Sequence, residues 1–169
     1  MTLRFEELIE QHHDEIFAYL WRLMGNHRRD GALDVEDLVQ DVFLRAYRGF
    51  AGLRPESNPR AWLYKIATHC AYTQLRQIKD RQQKLRSLVN SATGFETAAD
   101  SLISRNLEAR IRELMSGLPV KQRACVTLRY LQDLDYPDIA QIAGCSQESA
   151  RANVYQAILR LRRLVEDER

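Results

Sequence analysis

Apolar residues recur along this chain at intervals of three and four, and alternating runs are nearly absent. That period describes amphipathic helices, each laying one stripe on a core, and it excludes a sheet protein. The first stripe runs from about Leu3 to Met24 through Phe5, Leu8, Ile9, Ile16, Leu20 and Met24. "GNHRRDGA" interrupts it. Asp34 is then placed to cap a second helix bearing Leu38, Val39, Val42, Phe43, Ala46, Tyr47 and Phe50. "AGLRPESNPRA" reads as a loop by its Gly, Pro, Ser and Asn content. Asn58-Pro59 begins a third helix, to about Gln83, because proline tolerates the first turn. Its inward residues are Leu63, Ile66, Ala67, Cys70, Leu75 and Ile78, with Trp62 also assigned to the core.

Periodicity lapses over Ser87–Ser101, where small and polar residues predict a linker. Helices resume at Leu102–Gly117 and, after Leu118-Pro119, at Lys121–Leu131. The expected fold is all-α: two small helical domains, residues 1–86 and 102–169, joined by a flexible linker over 87–101. Each is a bundle of about 60–80 residues, a size that folds alone only marginally.

The stretch "DYPDIAQIAGCSQESARANVYQA" is the most specific feature. Asp135 occupies an N-cap position and Pro137 the first turn. Ile139, Ala140 and Ala143 face inward, and Gly144 fits the left-handed C-terminal position. Ser146 caps the next helix, whose inner face is Ala150, Val154, Ala157, Ile158, Leu161 and Val165. Two short helices about a glycine-bearing turn define a helix-turn-helix, and small Ala140 and Ala150 let the axes approach closely. The outward face reads Gln147, Glu148, Arg151, Ala152, Tyr155 and Gln156. Such a helix enters the major groove, where Arg151 suits guanine and Gln147 or Gln156 suits adenine. A plain helical hairpin with a solvated face is the bland alternative.

Net charge, +2 for the 169 residues, becomes informative only when divided. Residues 1–50 hold 6 basic and 10 acidic side chains (−4), residues 51–86 hold 8 and 2 (+6), and residues 146–163 hold 4 and 1 (+3). Two separated basic segments point to two contacts with a polyanion. In the first, Lys65, His69, Tyr72, Arg76 and Lys79 form one stripe at spacings of four and three. Cys70, Cys125 and Cys145 make no CxxC pair and read as buried thiols. Adjacent His12 and His13 are poor joint ligands, so no metal site and no cofactor are expected. No apolar run approaches the roughly 20 residues of a membrane span, and the acidic start does not suit a signal peptide, so a cytoplasmic protein is expected.

Two long segments carry a resemblance. "DVEDLVQDVFLRAYRGF" followed by "NPRAWLYKIATHCAYTQLRQIKDR" resembles region 2 of bacterial RNA polymerase sigma factors. "LPVKQRACVTLRYLQDLDYPDIAQIAGCSQESARANVYQAILRLRRL" resembles their region 4. The short length, without a region 1.1 or a full region 3, is similar to the extracytoplasmic-function (ECF) group. The resemblance implies an alternative-type sigma factor, with no catalysis of its own, that directs core polymerase to promoters and assists melting. Asp37, Gln40, Asp41 and Arg45 would dock on the β′ clamp helices, with the β flap a second polymerase contact. Arg54, Glu56, Ser57 and Asn58 would belong to the loop that captures a flipped minus-ten base, and Lys65, His69, Tyr72, Arg76 and Lys79 to minus-ten binding. Gln147, Arg151, Ala152, Tyr155 and Gln156 would read the minus-thirty-five element, with Arg123 and Arg129 on phosphate. The linker would thread near the polymerase cleft, and an anti-sigma factor is the expected inhibitor.

The chain departs from the family pattern where His69 stands in place of a frequent asparagine, and where Asn153, Gln156 and Ile158 replace frequent basic residues. Fewer phosphate contacts imply weaker, less salt-sensitive upstream binding. A stand-alone helix-turn-helix regulator with a helical sensor is the competing class, although a sensor has no need of an acidic helix followed by a basic one. An enzyme is disfavoured by the lack of a phosphate-cradling glycine loop or nucleophile–base arrangement.

Overall fold

The structure, a computed structural model, describes residues 4–25, 35–88 and 107–167. Among these residues are seven helices and no strand: α1 (Phe5–Met24), α2 (Val35–Phe50), α3 (Pro59–Leu88), α4 (Leu107–Ser116), α5 (Val120–Tyr130), α6 (Tyr136–Ala143) and α7 (Gln147–Glu166). The all-α expectation holds. The expected Asp34 cap and most of the expected linker lie outside the described residues. Ser87 and Leu88 do not belong to a linker: they extend α3, which runs five residues past its expected end near Gln83.

Helices α1, α2 and α3 pack mutually around Leu8, Ile16, Leu20, Leu38, Val42, Phe43, Leu63 and Ala67, all buried. The stripe read from the sequence is the stripe that faces the core, with Phe5, Ile9, Phe50, Ile66, Leu75 and Ile78 half-buried at its margin, and one residue departs from it. Tyr47, placed inward by its spacing, is 66% exposed, its ring set edge-to-face with that of Phe5 (centroids 5.2 Å apart). The core also contains a polar chain that the apolar pattern does not reveal. Thr68 Oγ1 donates to Tyr64 O at 2.7 Å, so its one proton is engaged, and the Tyr19 hydroxyl must be the donor to Thr68 Oγ1 at 2.7 Å. All three side chains are fully enclosed, which is tolerable only because each polar atom is paired.

Helices α5, α6 and α7 form the second set. Gly144 ends α6 at φ 67°, ψ 45°, the left-handed position expected, and its neighbour Cys145 donates back to Ala140 O at 3.0 Å. Ser146 Oγ accepts from Ser149 N at 3.1 Å and so caps α7. Asp135 occupies the N-cap of α6 but makes no side-chain capping bond. Ala150, Val154 and Ala157 are buried as expected, whereas Val165 is exposed. Cys145 is half-buried rather than buried.

The two sets do not stand apart. One continuous core includes α1–α3 residues together with Ala124, Leu128, Ile139 and Ile142. Helix α6 lies against α3, and α4 and α5 lie against α1. Sequence periodicity says which side of a helix is apolar but not which distant helix covers it.

Candidate nucleic-acid and polymerase interfaces

Helix α7 presents Gln147, Arg151, Ala152, Tyr155 and Gln156 on one exposed face. The Gly144 turn throws this face outward while Ala150 and Val154 hold the opposite face in the core. Arg151 is not a loose cation. Its guanidinium lies 4.4 Å from the centre of the Tyr136 ring, and that of Arg129 lies 5.0 Å from the same centre. Tyr136, the first residue of α6, therefore steers two arginines, at about 0.5–1 kcal/mol each for exposed pairs of this kind. Sequence reasoning missed Tyr136; an aromatic beside an N-cap was its only signal. Asn153 turns back on its own helix, Nδ2 donating to Ser149 O at 2.9 Å.

Two arginines assigned to phosphate fare differently. Arg129 is half-buried; its Nη1 donates to Leu134 O at 3.0 Å and stands 3.6 Å from Asp135. Arg123 is a correction. It is only 6% exposed, with Nη1 donating to Leu23 O at 2.7 Å and Nη2 to Leu118 O at 3.0 Å. Gly25 makes this possible: a Cβ there would lie 2.6 Å from the Arg123 Nη1. Spacing could not separate Arg123 from a surface cation, because the carbonyls that hold it come from α1 and from the α4–α5 turn.

On α3, Lys65, His69, Arg76 and Lys79 are exposed along one face. Beyond Lys79 the longer helix is exposed on all sides, and of its further cations Arg86 continues this face while Arg81 and Lys84 point elsewhere. Tyr72 departs from the expected open stripe: it is half-buried, its hydroxyl enclosed without a hydrogen-bond partner. Burial raises its pKa, with Cys125 and Cys145 contributing. In the preceding loop Arg54 and Glu56 are exposed. Asn58 Oδ1 accepts from Ala61 N at 3.2 Å, so its side chain already caps α3. Ser57 and Asn58 border a cleft of about 280 Å³ with Leu53 and Trp62. Trp62 is half-buried and joins the core from its margin.

On α2, Asp37, Gln40 and Arg45 are exposed and Asp41 is half-buried. Arg45 Nε donates to Asp41 Oδ2 at 2.9 Å, one turn apart. Leu44, 57% exposed, and Tyr47 accompany this polar group. Sequence reasoning did not single out Leu44, although it breaks the inward spacing of its helix and was legible as an apolar residue on the wrong side.

These features, an outward recognition helix in one set and a cationic helix behind an acidic one in the other, define a DNA-binding helical protein of two units. Comparison with known proteins gives its family. Residues 8–82 match Sigma-70 region 2, and residues 108–161 match Sigma-70, region 4. The chain is similar to RNA polymerase sigma factor YlaC of Bacillus subtilis, 30% identical over 162 residues, covering 94% of this chain and 90% of that one. It is also similar to the ECF RNA polymerase sigma-E factor of Haemophilus influenzae, 27% identical over 162 residues, covering 90% and 82%. In fold it resembles the sigma factor RpoE, seen in complex with the anti-sigma factor NepR from Bartonella quintana (TM-score 0.75, 23% identity, 98% of both chains). CnrH in complex with the cytosolic domain of CnrY is a further neighbour (TM-score 0.69, 19% identity, 98% of this chain and 89% of that one).

The chain belongs to the sigma-70 family of RNA polymerase sigma factors, in its ECF group. It is an alternative sigma factor that directs RNA polymerase to promoters, and the family is not one of catalysts. The stand-alone regulator is not favoured, since the region 2 match occupies the residues a sensor would need. Among the described residues no helix is long and apolar enough to cross a membrane.

Proposed function

We propose that residues 1–86 act as the region 2 unit and 102–169 as the region 4 unit, gripping two separate promoter elements while bound to core polymerase. The exposed face of α7, with Arg151 steered by Tyr136, is the observation that carries this reading. A planar guanidinium presented from the N-terminal half of a recognition helix suits the O6 and N7 acceptors of guanine, flanked by Gln147 and Gln156 for adenine. Ala152 and Tyr155 supply apolar and aromatic contact beside them.

On the other unit, Lys65, Arg76 and Lys79 would neutralise phosphate while His69 and Tyr72 supply stacking surfaces for single-stranded bases. The loop carrying Arg54, Glu56, Ser57 and Asn58 would bound the place for a flipped base, Ser57 and Asn58 from the wall of its cleft. Asp37, Gln40, Asp41 and Arg45 would meet the β′ clamp helices, with exposed Leu44 an apolar anchor among them, and region 4 would meet the β flap. The chain has no catalytic step of its own and works in the cytoplasm, where the polymerase is. An anti-sigma factor is its expected antagonist, as NepR is found with RpoE.

Run-off transcription with purified core polymerase over a promoter library tests the reading. Specific transcripts absent with core alone are expected, and their absence on every template would overturn it. Arg151→Ala should cost about 1–3 kcal/mol of discrimination at one upstream base pair, as the loss of a bidentate base contact does, with core association unchanged.

A further inference from the structure

Helix α3 forms one side of a cavity of about 560 Å³, well above the neighbouring cleft of about 280 Å³. Small-molecule sites typically measure about 300–1,000 Å³, so the larger space is of ligand size. Trp62, Ile66 and Tyr72 of α3 line one side, and Ile142 of α6 lines the other. This part of the wall is apolar and aromatic. Arg45, Lys65 and His69 share the lining, and all three are exposed. Lys65 and His69 stand one turn apart on the same face of α3. Among the described residues no ion pair engages either of them. Of the nearby carboxylates, Asp41 is already bonded by Arg45, and Asp138 lines only the smaller cleft.

From this charge pattern we infer that the cavity binds a small organic acid with an apolar body, of the medium-chain fatty acid type. Lys65 and His69 hold its carboxylate, and its chain lies between α3 and α6. An amine of the same shape would meet like charge. A sugar would bring hydroxyls that the apolar walls leave unpaired, at a cost in desolvation. Walls on two facing helices admit a single molecule, not the surface of a bilayer.

The cavity is formed without its ligand. Arg60 Nη2 donates to Glu15 Oε2 at 3.0 Å and to Gln132 O at 3.1 Å. Tyr64 Oη donates to Gln132 Oε1 at 2.6 Å. These bonds tie α1 and α3 to the loop before α6 and set the spacing of the two walls. A ligand entering a pre-organised space is spared the cost of ordering it. Gly49 adds room at the edge: a Cβ there would stand 3.2 Å from Trp62 Cζ2.

Lys65 and His69 are also the residues assigned above to minus-ten DNA. An acid held by them and the promoter strand exclude one another, so the acid acts as a competitor of the promoter. That consequence rests on the proposed assignment; the binding site does not.

Calorimetric titration of the full chain with monomeric dodecanoate tests the site. A single molecule per chain is expected, with dodecanol bound at least about tenfold more weakly, as the loss of hydrogen bonds to a charged group implies. Dodecylamine should not bind. Lys65→Gln should weaken dodecanoate about fivefold or more. Ile66→Trp, which fills the cavity, and Gly49→Ala, which crowds Trp62, should each weaken it about fivefold or more by overpacking. Circular dichroism should show unchanged helix content; if Ile66→Trp loses helix, Gly49→Ala decides.

Equal affinity for acid and alcohol, or unchanged affinity in Lys65→Gln, would overturn the site and leave dodecanoate an adventitious additive only. Capture by anionic phospholipid vesicles without binding of free dodecanoate would overturn it as well. Run-off transcription separates the two ideas. Dodecanoate should lower the promoter-specific transcript with wild type and lower it less with Gly49→Ala. Binding that leaves the transcript untouched upholds the site and overturns the minus-ten assignment of Lys65 and His69. Specific transcription by a chain that binds no acid ends the site and leaves the promoter reading standing.

Discussion

Helices α1–α3 bury large side chains: Leu8, Ile16, Tyr19, Leu20, Leu23, Leu63 and Tyr64 are at most 1% exposed. Helices α5–α7 bury mostly small ones, with Ala124, Cys125, Ala140, Ala143, Ala150 and Ala157 alongside Leu128 and Ile139. Small residues permit the close crossing that a helix-turn-helix requires, but they remove little apolar area from water. The second unit therefore gains part of its burial from α1 and α3 of the first. The same economy that shapes a DNA-reading turn makes that unit lean on its neighbour for core.

Substitutions of opposite kind should break the two units. Leu20→Ala, which leaves a cavity in the large-residue core, should cost about 3 kcal/mol in urea unfolding. Because the core is shared, hydrogen exchange should quicken in α5 and α6 as well as in α1–α3. Protection of α5 and α6 that stays at the wild-type level would show the second unit to be self-sufficient. In the small-residue unit enlargement is the damaging change. Ala150→Leu overpacks the α6–α7 crossing and should cost about 2 kcal/mol, whereas Leu20→Met, nearly equal in volume, should cost clearly less.

Arg123 and Arg151 sharpen the same comparison within one unit. Arg123→Met keeps the bulk of the side chain but strands the Leu23 and Leu118 carbonyls, so a stability loss of about 2 kcal/mol is expected. Upstream discrimination by the folded fraction should be unchanged. Arg151→Ala should show the converse, stability near wild type and lost discrimination. Wild-type stability in Arg123→Met, with weakened DNA binding, would restore Arg123 to the phosphate contacts.

Periodicity made the helices legible, and turn chemistry located Gly144 and Ser146 to the residue. The recognition face was legible for the same reason, since one helix with a known buried side has a known exposed side. What stayed hidden depends on residues far apart in sequence. Arg123 bonds Leu23, 100 positions away, and Tyr64 bonds Gln132, 68 positions away. Nothing local distinguishes an arginine held by distant carbonyls from one awaiting a phosphate. The cover over Tyr72 stayed hidden for a related reason: its place in the α3 stripe was right, but Ile142 to Gly144 of the other unit lie over α3 there.

The smallest expected effect compares two ion pairs, Arg60–Glu15 in the first unit and Arg129–Asp135 in the second. Desolvation works against ionised Glu15, but hydrogen bonds from Arg60 and His12 outweigh it and hold the carboxyl below its ordinary value of 4.5. A carboxyl with a depressed folded-state pKa contributes stability at pH above the unfolded value, and loses it as pH falls through the folded one. Wild-type stability should therefore decline from about pH 4.5 downward by a margin that Glu15→Gln lacks, read from urea midpoints at neutral and acid pH. The Asp135 side chain is 85% exposed and 3.6 Å from Arg129, a geometry worth little in water. Asp135→Asn should leave both midpoints and their difference at wild-type values. Identical pH profiles for Glu15→Gln and wild type would show that the Arg60 bond gives Glu15 no more than a surface pair does, and that Arg60 is positioned chiefly by Gln132.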